Sequence, residues 1–483
     1  MCHGDRVATV PDGLVAVVKR DCPTCTLVEP VLQQLAAVVP LTVFSQDDPT
    51  FPAGVPCVVD DTSLATSWHL DLIAVPTLLR VENGVEVART EGWLRSTWEE
   101  LTGVADLGPG LPDYRPGCGS RTVEPGVAEE LAVRFGGSVL RSRRVEIADL
   151  EDEMEALFDR GWTDGLPVVP PTEARVLRML EGTTRAPDDV VTVMPPDLVE
   201  CTVEKVAINA VMAGCLPEYL PVVLAAVEAA ATDAFNAHGL LATTYFSGPL
   251  VLVNGPVATK IGMNSGLNAL GQGNRANATI GRALQLVIRN VGGGRPGEVD
   301  RATLGNPGKF TFCFAEAEDS SPFEPFSVSR GLPVGTSAVT LFAGAGVQPV
   351  VDQHSRRPES LARSYAAALR VNAHPKLPIA FDAMLVVSPE HGRVFRDARW
   401  DRARLLAELH ELLLLPGRDI VEGAADIDEG IPEAFRDSVL PKFRDGGLLV
   451  VHAGGTAGMF SAIIGGWVSG DSGSQPVTVE VRS

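Results

Sequence analysis

Leu14-Val15-Ala16-Val17-Val18-Lys19-Arg20-Asp21-Cys22-Pro23-Thr24-Cys25 is the stretch from which the fold can be read. Its first five residues are continuous, apolar and mostly β-branched, the pattern of a buried strand. Beyond the two cysteines, Leu27, Val28, Val31, Leu32, Leu35 and Ala36 recur at three- and four-residue spacing, the stripe of an amphipathic helix. The C-x-x-C therefore stands where a strand hands over to a helix N-terminus. Unpaired N–H groups and the positive end of the helix dipole favour thiolate over thiol there, so Cys22 is expected to be the nucleophile. Cys25, one turn on, is placed to resolve a mixed disulfide. A zinc half-site would need a second cysteine or histidine pair at usable spacing, and none follows.

Further along, Pro30 falls five residues after Cys25, and Ile73-Ala74-Val75-Pro76-Thr77 precedes Leu78-Leu79-Arg80-Val81. Asn83-Gly84 then separates that run from Val85-Glu86-Val87-Ala88, the signature of a hairpin with a tight turn. Residues from Leu14 to Gly103, about a fifth of the chain, resemble a thioredoxin-superfamily domain. The resemblance implies a kinking proline at Pro30 and a cis-proline strand at Pro76, which lies beside the dithiol and receives the substrate backbone. It also implies a closing helix over Arg95–Leu101. Two positions depart from the family. Asp21 replaces the usual aromatic residue and puts a negative charge beside Cys22, which opposes thiolate formation. Ala16 replaces the acid often buried on the central strand. Both departures point to a specialised dithiol rather than a general disulfide reductant.

The 483 residues carry a formal net charge of −21, which makes nucleic acid and anionic membranes poor partners. No basic-plus-apolar signal precedes Leu14, and Leu220–Thr232, interrupted by Glu228, is too short to span a bilayer. A cytoplasmic location is the expectation. There the eight cysteines would be reduced, and either reactive or buried.

The expected organisation is α/β: a thioredoxin-like domain over residues 1–104, a Gly/Pro-rich linker over 105–126, and a larger mixed α/β domain over 127–483 with room for two subdomains. The linker holds Pro116-Gly117-Cys118-Gly119-Ser120-Arg121. Flanking glycines uncover the thiol and Arg121 favours its ionised form, so Cys118 reads as a mobile second sulfur. It would be the catalytic thiol of the large domain or a relay for the first. Spacing alone fits an idle loop thiol equally well. Cys201 and Cys215 bracket a small-residue helix and read as buried, while Cys313 lies on an alternating, half-buried run; spacing assigns none of the three a chemical role.

In the large domain, Gly161-Trp162-Thr163-Asp164-Gly165-Leu166-Pro167 is a stiff loop that suits either a pocket wall or a packed connection. A Gly/Asn-rich loop, Gly262–Asn277, runs into a helix. Gly273, Asn274, Arg275 and Arg282 could bind a small anionic substrate there, or the asparagines could satisfy the loop's own backbone. Gly271-Gln-Gly273-Asn-Arg-Ala276 matches G-x-G-x-x-A formally. It lacks the adjoining strand and the later acid that a dinucleotide site needs. His452 closes the strand Leu448–Val451, ahead of a glycine turn and an expected helix, and is the best-placed histidine for acid–base work. Asp352 and His354 are a weaker acid–imidazole pair. Glu316, Glu318, Asp319 and Glu324 read as a solvated acidic turn, since their spacing matches no recognised cation loop.

From Cys118 onward the chain also resembles a bacterial family that carries the Gly161–Pro167 block and the Gly271–Gly281 block (G-Q-G-N-R-A-N-A-T-I-G). That family is associated with proteins bearing a selenocysteine-Gly-Ser-Cys motif; here Cys118-Gly119-Ser120 matches in part, with Arg121 in the last position. The resemblance transfers no activity.

The leading expectation is a thiol-dependent redox enzyme in which Cys22, Cys25 and Cys118 exchange electrons or sulfur with a small anionic or thiol substrate near Arg275, Arg282 and His452. An external thiol reductant would serve it, and a homo-oligomer is compatible with it. The redox-active dithiol would be its only cofactor, with a metal in the larger domain left open. Carbon–sulfur bond making or breaking with Cys118 as carrier, and a redox-sensing or partner-binding module, are the alternatives.

Overall fold

Leu14 to Val18 lie at the centre of a five-stranded sheet in the computed structural model, which describes residues 10–137, 139–145, 147, 151–470 and 473–482. The chain divides into two compact units, Met1–Val139 and Leu140–Ser483.

In the first unit, β1 (Gly13–Val18) leads into α1 (Pro23–Val38), and β2 (Leu41–Ser45) and β3 (Val58–Asp60) follow in parallel. After α2 (Ala65–His69) come β4 (Ala74–Val75), β5 (Thr77–Glu82), β6 (Val85–Glu91) and β7 (Trp93–Leu94), then α3 (Arg95–Thr102). The sheet order is β3-β2-β1-β5-β6, with β5 and β6 antiparallel to their neighbours. β1 is central because it is apolar on both faces; Val15, Ala16, Val17 and Val18 are all fully buried. Asn83 and Gly84 turn the β5–β6 hairpin with φ of 54° and 73°, the left-handed pair that a two-residue turn matching strand twist requires. Along α1, Val28, Val31, Leu32 and Leu35 face the core and Pro30 lies inside the helix. The Val75–Pro76 peptide bond is cis.

Residues 105–126 do not behave as the expected linker. They pack as part of the first unit, with β8 (Tyr114–Arg115) pairing β7 and β9 (Cys118–Gly119) pairing β4, ahead of α4 (Val127–Phe135). Leu107 is fully buried. The Arg95 guanidinium collects the carbonyls of Leu107, Gly108 and Leu111, and Trp93 Nε1 donates to Pro112 O at 2.6 Å. Gly and Pro here shape a fitted strap whose carbonyls ahead of β8 are held by side chains, before the two short ladders take over.

The second unit is also mixed α/β. Its strands are β10 (Val190–Met194), β11 (Val199–Thr202), β12 (Gly248–Asn254), β13 (Cys313–Ala315), β14 (Ala338–Val351), β15 (Phe381–Val387), β16 (Leu414–Pro416), β17 (Val439–Pro441), β18 (Leu448–His452), β19 (Phe460–Val468) and β20 (Val477–Glu480). The main sheet runs β13-β12-β14-β19-β15-β18, with β20 also on β14. Helices Val203–Ala213, Leu220–Ala230 and Arg275–Asn290 cover it. Phe460–Val468, expected to be helical, is a strand between β14 and β15 with Ile463 and Ile464 fully buried. Gly466 fits that central place because a Cβ would stand 2.6 Å from the Asp382 carbonyl. Among the described residues no helix is long and apolar enough to cross a membrane.

Candidate functional site

Cys22 is the N-cap of α1. Its sulfur accepts the Cys25 N–H at 3.3 Å and lies 3.6 Å from the Val75 carbonyl oxygen. The neighbouring Cys25 and Cys118 thiols and the Thr24 amide also act on this sulfur. The Cys25 thiol is the largest influence, and together these groups lower the Cys22 pKa to about 5 against the opposing effect of burial. The two neighbouring thiols move the other way. Burial, followed by the influence of Cys22, holds both Cys25 and Cys118 above the ordinary thiol value. The shifts thus run in opposite directions, down for Cys22 and up for its two neighbours. All three are free of disulfides.

Cys118 reaches Cys22 through backbone fit. In the antiparallel pairing of β4 with β9, Val75 stands opposite Cys118 and Ala74 opposite Gly119, and Ser120 N donates to Ile73 O at 2.9 Å. Thr24 Oγ1 donates to Pro116 O at 2.8 Å, tying the strap to the first turn of α1. On the other side the strap lies against Gly92, whose N–H donates to Pro76 O at 2.7 Å. A Cβ on Gly92 would stand 2.6 Å from Gly117 N, and one on Gly117 would stand 3.0 Å from Val75 O. Glycine at both positions is what lets the two backbones approach.

A buried polar chain fixes the far end. Gln46 Nε2 donates to Ser67 Oγ at 2.9 Å and to Ser120 Oγ at 2.8 Å, Asp61 accepts the Ser67 hydroxyl at 2.6 Å, and Thr122 donates to the Leu72 carbonyl. Cys118 is therefore seated beside the dithiol in its own unit, not carried on a swinging arm. With the strap in place Cys22 is only 1% exposed.

The residues expected to hold an anion in the second unit are engaged elsewhere. Arg282 makes a two-pronged ion pair with Asp164, both contacts at 2.8 Å, and donates to Pro167 O at 2.9 Å. Asn274 caps the helix Arg275–Asn290 through Asn277 N at 3.0 Å and donates to Gly262 O. Arg275 donates to Gly214 O at 2.9 Å, and Gly273 is exposed at φ 115°. These are the self-satisfying bonds that a Gly/Asn-rich loop makes with its own surroundings.

His452 does end β18, with the 262–274 loop close by through Gly454 N to Ser265 O at 2.9 Å. It is nevertheless fully buried. Its Nδ1 is 3.3 Å from Ala317 O, Nε2 has no partner among the described residues, and burial lowers its pKa to about 4. That leaves a neutral packed imidazole with no access to a substrate. Asp352 does not orient His354; its carboxylate caps the following turn through His354 N and Ser355 N and accepts from Ser364.

Sequence reading missed three features. The acidic run after β13 is not solvated at its first residue: Glu316 is buried, accepts from Asn254 and from Phe326 N, and pairs with Arg402 at 3.4 Å, while burial drives its pKa upward. The Gln46–Ser67–Ser120 chain joins residues far apart in sequence. The Trp162 loop was legible as a pocket wall, but the presence of Arg295 on the same lining was not. Among the described residues no group of three or more His, Cys, Asp or Glu side chains is placed to hold a metal ion. No protein-family model matches the chain, and no curated protein matches it.

Proposed function

We propose that the N-terminal unit is a thioredoxin-like thiol–disulfide exchange enzyme. Its attacking sulfur is Cys22, and Cys25 and Cys118 are alternative resolving thiols. The observation that carries this reading is the Cys22 sulfur at the N-cap of α1, accepting the Cys25 N–H, with Cys118 held by backbone pairing opposite Val75, whose carbonyl oxygen is 3.6 Å from that sulfur. The placement of the pair β4–β9 beside the first turn of α1 supports it further, because Cys118 occupies the edge along which a partner backbone would lie.

The chemistry starts from three reduced cysteines. The Cys22 thiolate attacks one sulfur of a small disulfide; the substrate S–S bond breaks, a Cys22 mixed disulfide forms, and the departing thiolate takes a proton. The Cys118 or Cys25 sulfur, having given up its proton, then attacks the Cys22 sulfur. An intramolecular disulfide forms and the second substrate thiol leaves. The substrate gains two electrons from the protein and two protons, one from the resolving thiol and one from solvent, since Cys22 starts as the thiolate. An external thiol reductant returns the protein to its starting state, which fits a reducing compartment.

Mass spectrometry after stoichiometric oxidation with hydroxyethyl disulfide tests the reading. Cys22–Cys118 or Cys22–Cys25 bridges are the expected products, and both are lost in Cys22→Ser. Oxidation that leaves Cys22 unpaired would exclude it.

The 1% exposure of Cys22 favours a second reading, a redox sensor whose signal is the Cys22–Cys118 bond itself. Steady turnover of hydroxyethyl disulfide with a dithiol reductant separates the two, since a sensor oxidises once and does not cycle at a useful rate.

A further inference from the structure

The second unit has a partly open cavity of about 790 Å³ beside the Trp162 loop. That volume falls within the range of small-molecule sites, roughly 300–1,000 Å³. One wall is apolar, formed by Leu157, Trp162, Ile208, Met212 and Val291. The other end is polar and positively charged, and it is built by an unusual turn. Gly292, Gly293 and Gly294 carry the chain from the helix Arg275–Asn290 to Arg295. A Cβ on Gly292 would stand 2.4 Å from Pro195 O, on Gly293 2.0 Å from an Asp197 carboxylate oxygen, and on Gly294 2.9 Å from Ile288. Only glycine passes there, and the passage sets Arg295 on the cavity lining.

What distinguishes Arg295 is that the protein does not use its charge. Its buried Nε has no hydrogen-bond partner, and its guanidinium has no carboxylate within ion-pair distance among the described residues. Of the carboxylates on the lining, Glu153, Glu173, Asp197 and Glu204, none pairs with Arg295 among the described residues. Glu204 accepts the backbone N–H groups of Arg141 and Ser142 at 3.0 and 2.8 Å, and Glu173 pairs with Arg144. Asp197 lines the cavity without reaching Arg295. Lys205, also on the lining, donates to the Glu200 carbonyl at 2.6 Å and keeps its charge uncompensated. Asn290 donates to Asn209 Oδ1 at 2.8 Å and to Trp162 O at 3.0 Å, which leaves its own Oδ1 buried and without a donor. In a chain of net charge −21, a half-buried guanidinium left open on an apolar cavity is a place prepared for an anion.

We infer that this cavity is a binding site for a small organic acid. Its carboxylate sits on Arg295, its apolar body lies against Trp162, Ile208 and Met212, and a hydroxyl or N–H donor on it meets Asn290. The inference is independent of thiol exchange, because none of these residues carries sulfur chemistry.

Isothermal titration of the full chain with 3-phenylpropionate and with its neutral isostere 3-phenylpropionamide tests it. The carboxylate should bind about tenfold or more tightly than the amide, as expected for a charge-assisted contact. Arg295→Gln should erase that preference with no change in thermal midpoint, since Arg295 has no internal partner to lose. Arg295→Lys should restore part of the preference, and Trp162→Ala should weaken both probes. Equal affinity for the two probes, a preference that survives Arg295→Gln, or no binding of either at millimolar concentration would overturn the assignment. The same titration in Cys22→Ser should be unchanged, which separates failure here from failure of the thiol reading.

Discussion

Cys118 stands directly opposite Val75 in the β4–β9 pair, and the Val75 carbonyl oxygen lies 3.6 Å from the Cys22 sulfur, so the third sulfur is held by backbone pairing and not by chance proximity. Replacing Cys118 with alanine keeps the strand and most of the cover but removes one thiol that acts on the thiolate. The Cys22 pKa should rise above about 5, and Cys25→Ala should raise it further because the Cys25 thiol is the stronger influence. The pH dependence of iodoacetamide alkylation at Cys22 reads both shifts. A Cys22 pKa unchanged in both variants would show that the neighbouring thiols do not set it.

The same depression links Cys22 to stability. Its folded value of about 5 lies below the ordinary 9.0, so the stabilisation is complete above pH 9 and is lost as pH falls through 5. The difference in thermal midpoint between wild type and Cys22→Ser should therefore shrink between pH 9 and pH 5.

Gly92→Ala places a methyl group 2.6 Å from Gly117 N at a φ of 71°. The strap must yield. We expect a loss of roughly 1–3 kcal/mol in stability and faster alkylation of Cys22 at neutral pH. Chemical denaturation and timed labelling measure the two separately.

Arg282→Ala leaves the Asp164 carboxylate without its two-pronged partner, where both side chains are largely buried. A destabilisation of about 2–4 kcal/mol is expected, near the cost of breaking a buried pair. Asp164→Asn should cost a similar amount, and the double variant less than the sum. Urea titration of the three variants provides the check.

His452 has a folded pKa of about 4 against an ordinary 6.5. Its neutral form is the folded one, so stability is intact above pH 6.5 and is lost as pH falls through 4, by at most roughly 3 kcal/mol. Denaturant midpoints measured from pH 7.5 to 4.5 should fall less steeply in His452→Gln than in wild type.

Cys201 and Cys215 are buried, and burial pushes each thiol up to about 12; Cys313 is buried and raised as well. Native labelling at pH 8 should spare all three while modifying the exposed Cys57, and unfolding should release them.

Local pattern carried a good part of this protein. Strand β1, the C-x-x-C at the start of α1, the Asn83-Gly84 hairpin and the helix from Arg275 follow from apolar spacing and turn chemistry, which act between residues two to four apart. The same reasoning read Phe460–Val468 as a helix, because an apolar run shorter than about ten residues carries no period of its own. Only its place between β14 and β15 makes it a strand.

The sites divide along the same line. Sequence alone established that Cys22 begins a helix and that Cys118 is flanked by glycine. The tertiary structure decided that Cys118 belongs beside Cys22, that Arg282 is consumed by Asp164 and that Arg295 Nε has no partner among the described residues. Whether a cation is free or paired depends on a partner that can lie more than a hundred residues away. Hydrogen-bond and ion-pair partners at that distance leave no periodic trace in the chain, and only the packed fold brings them within reach.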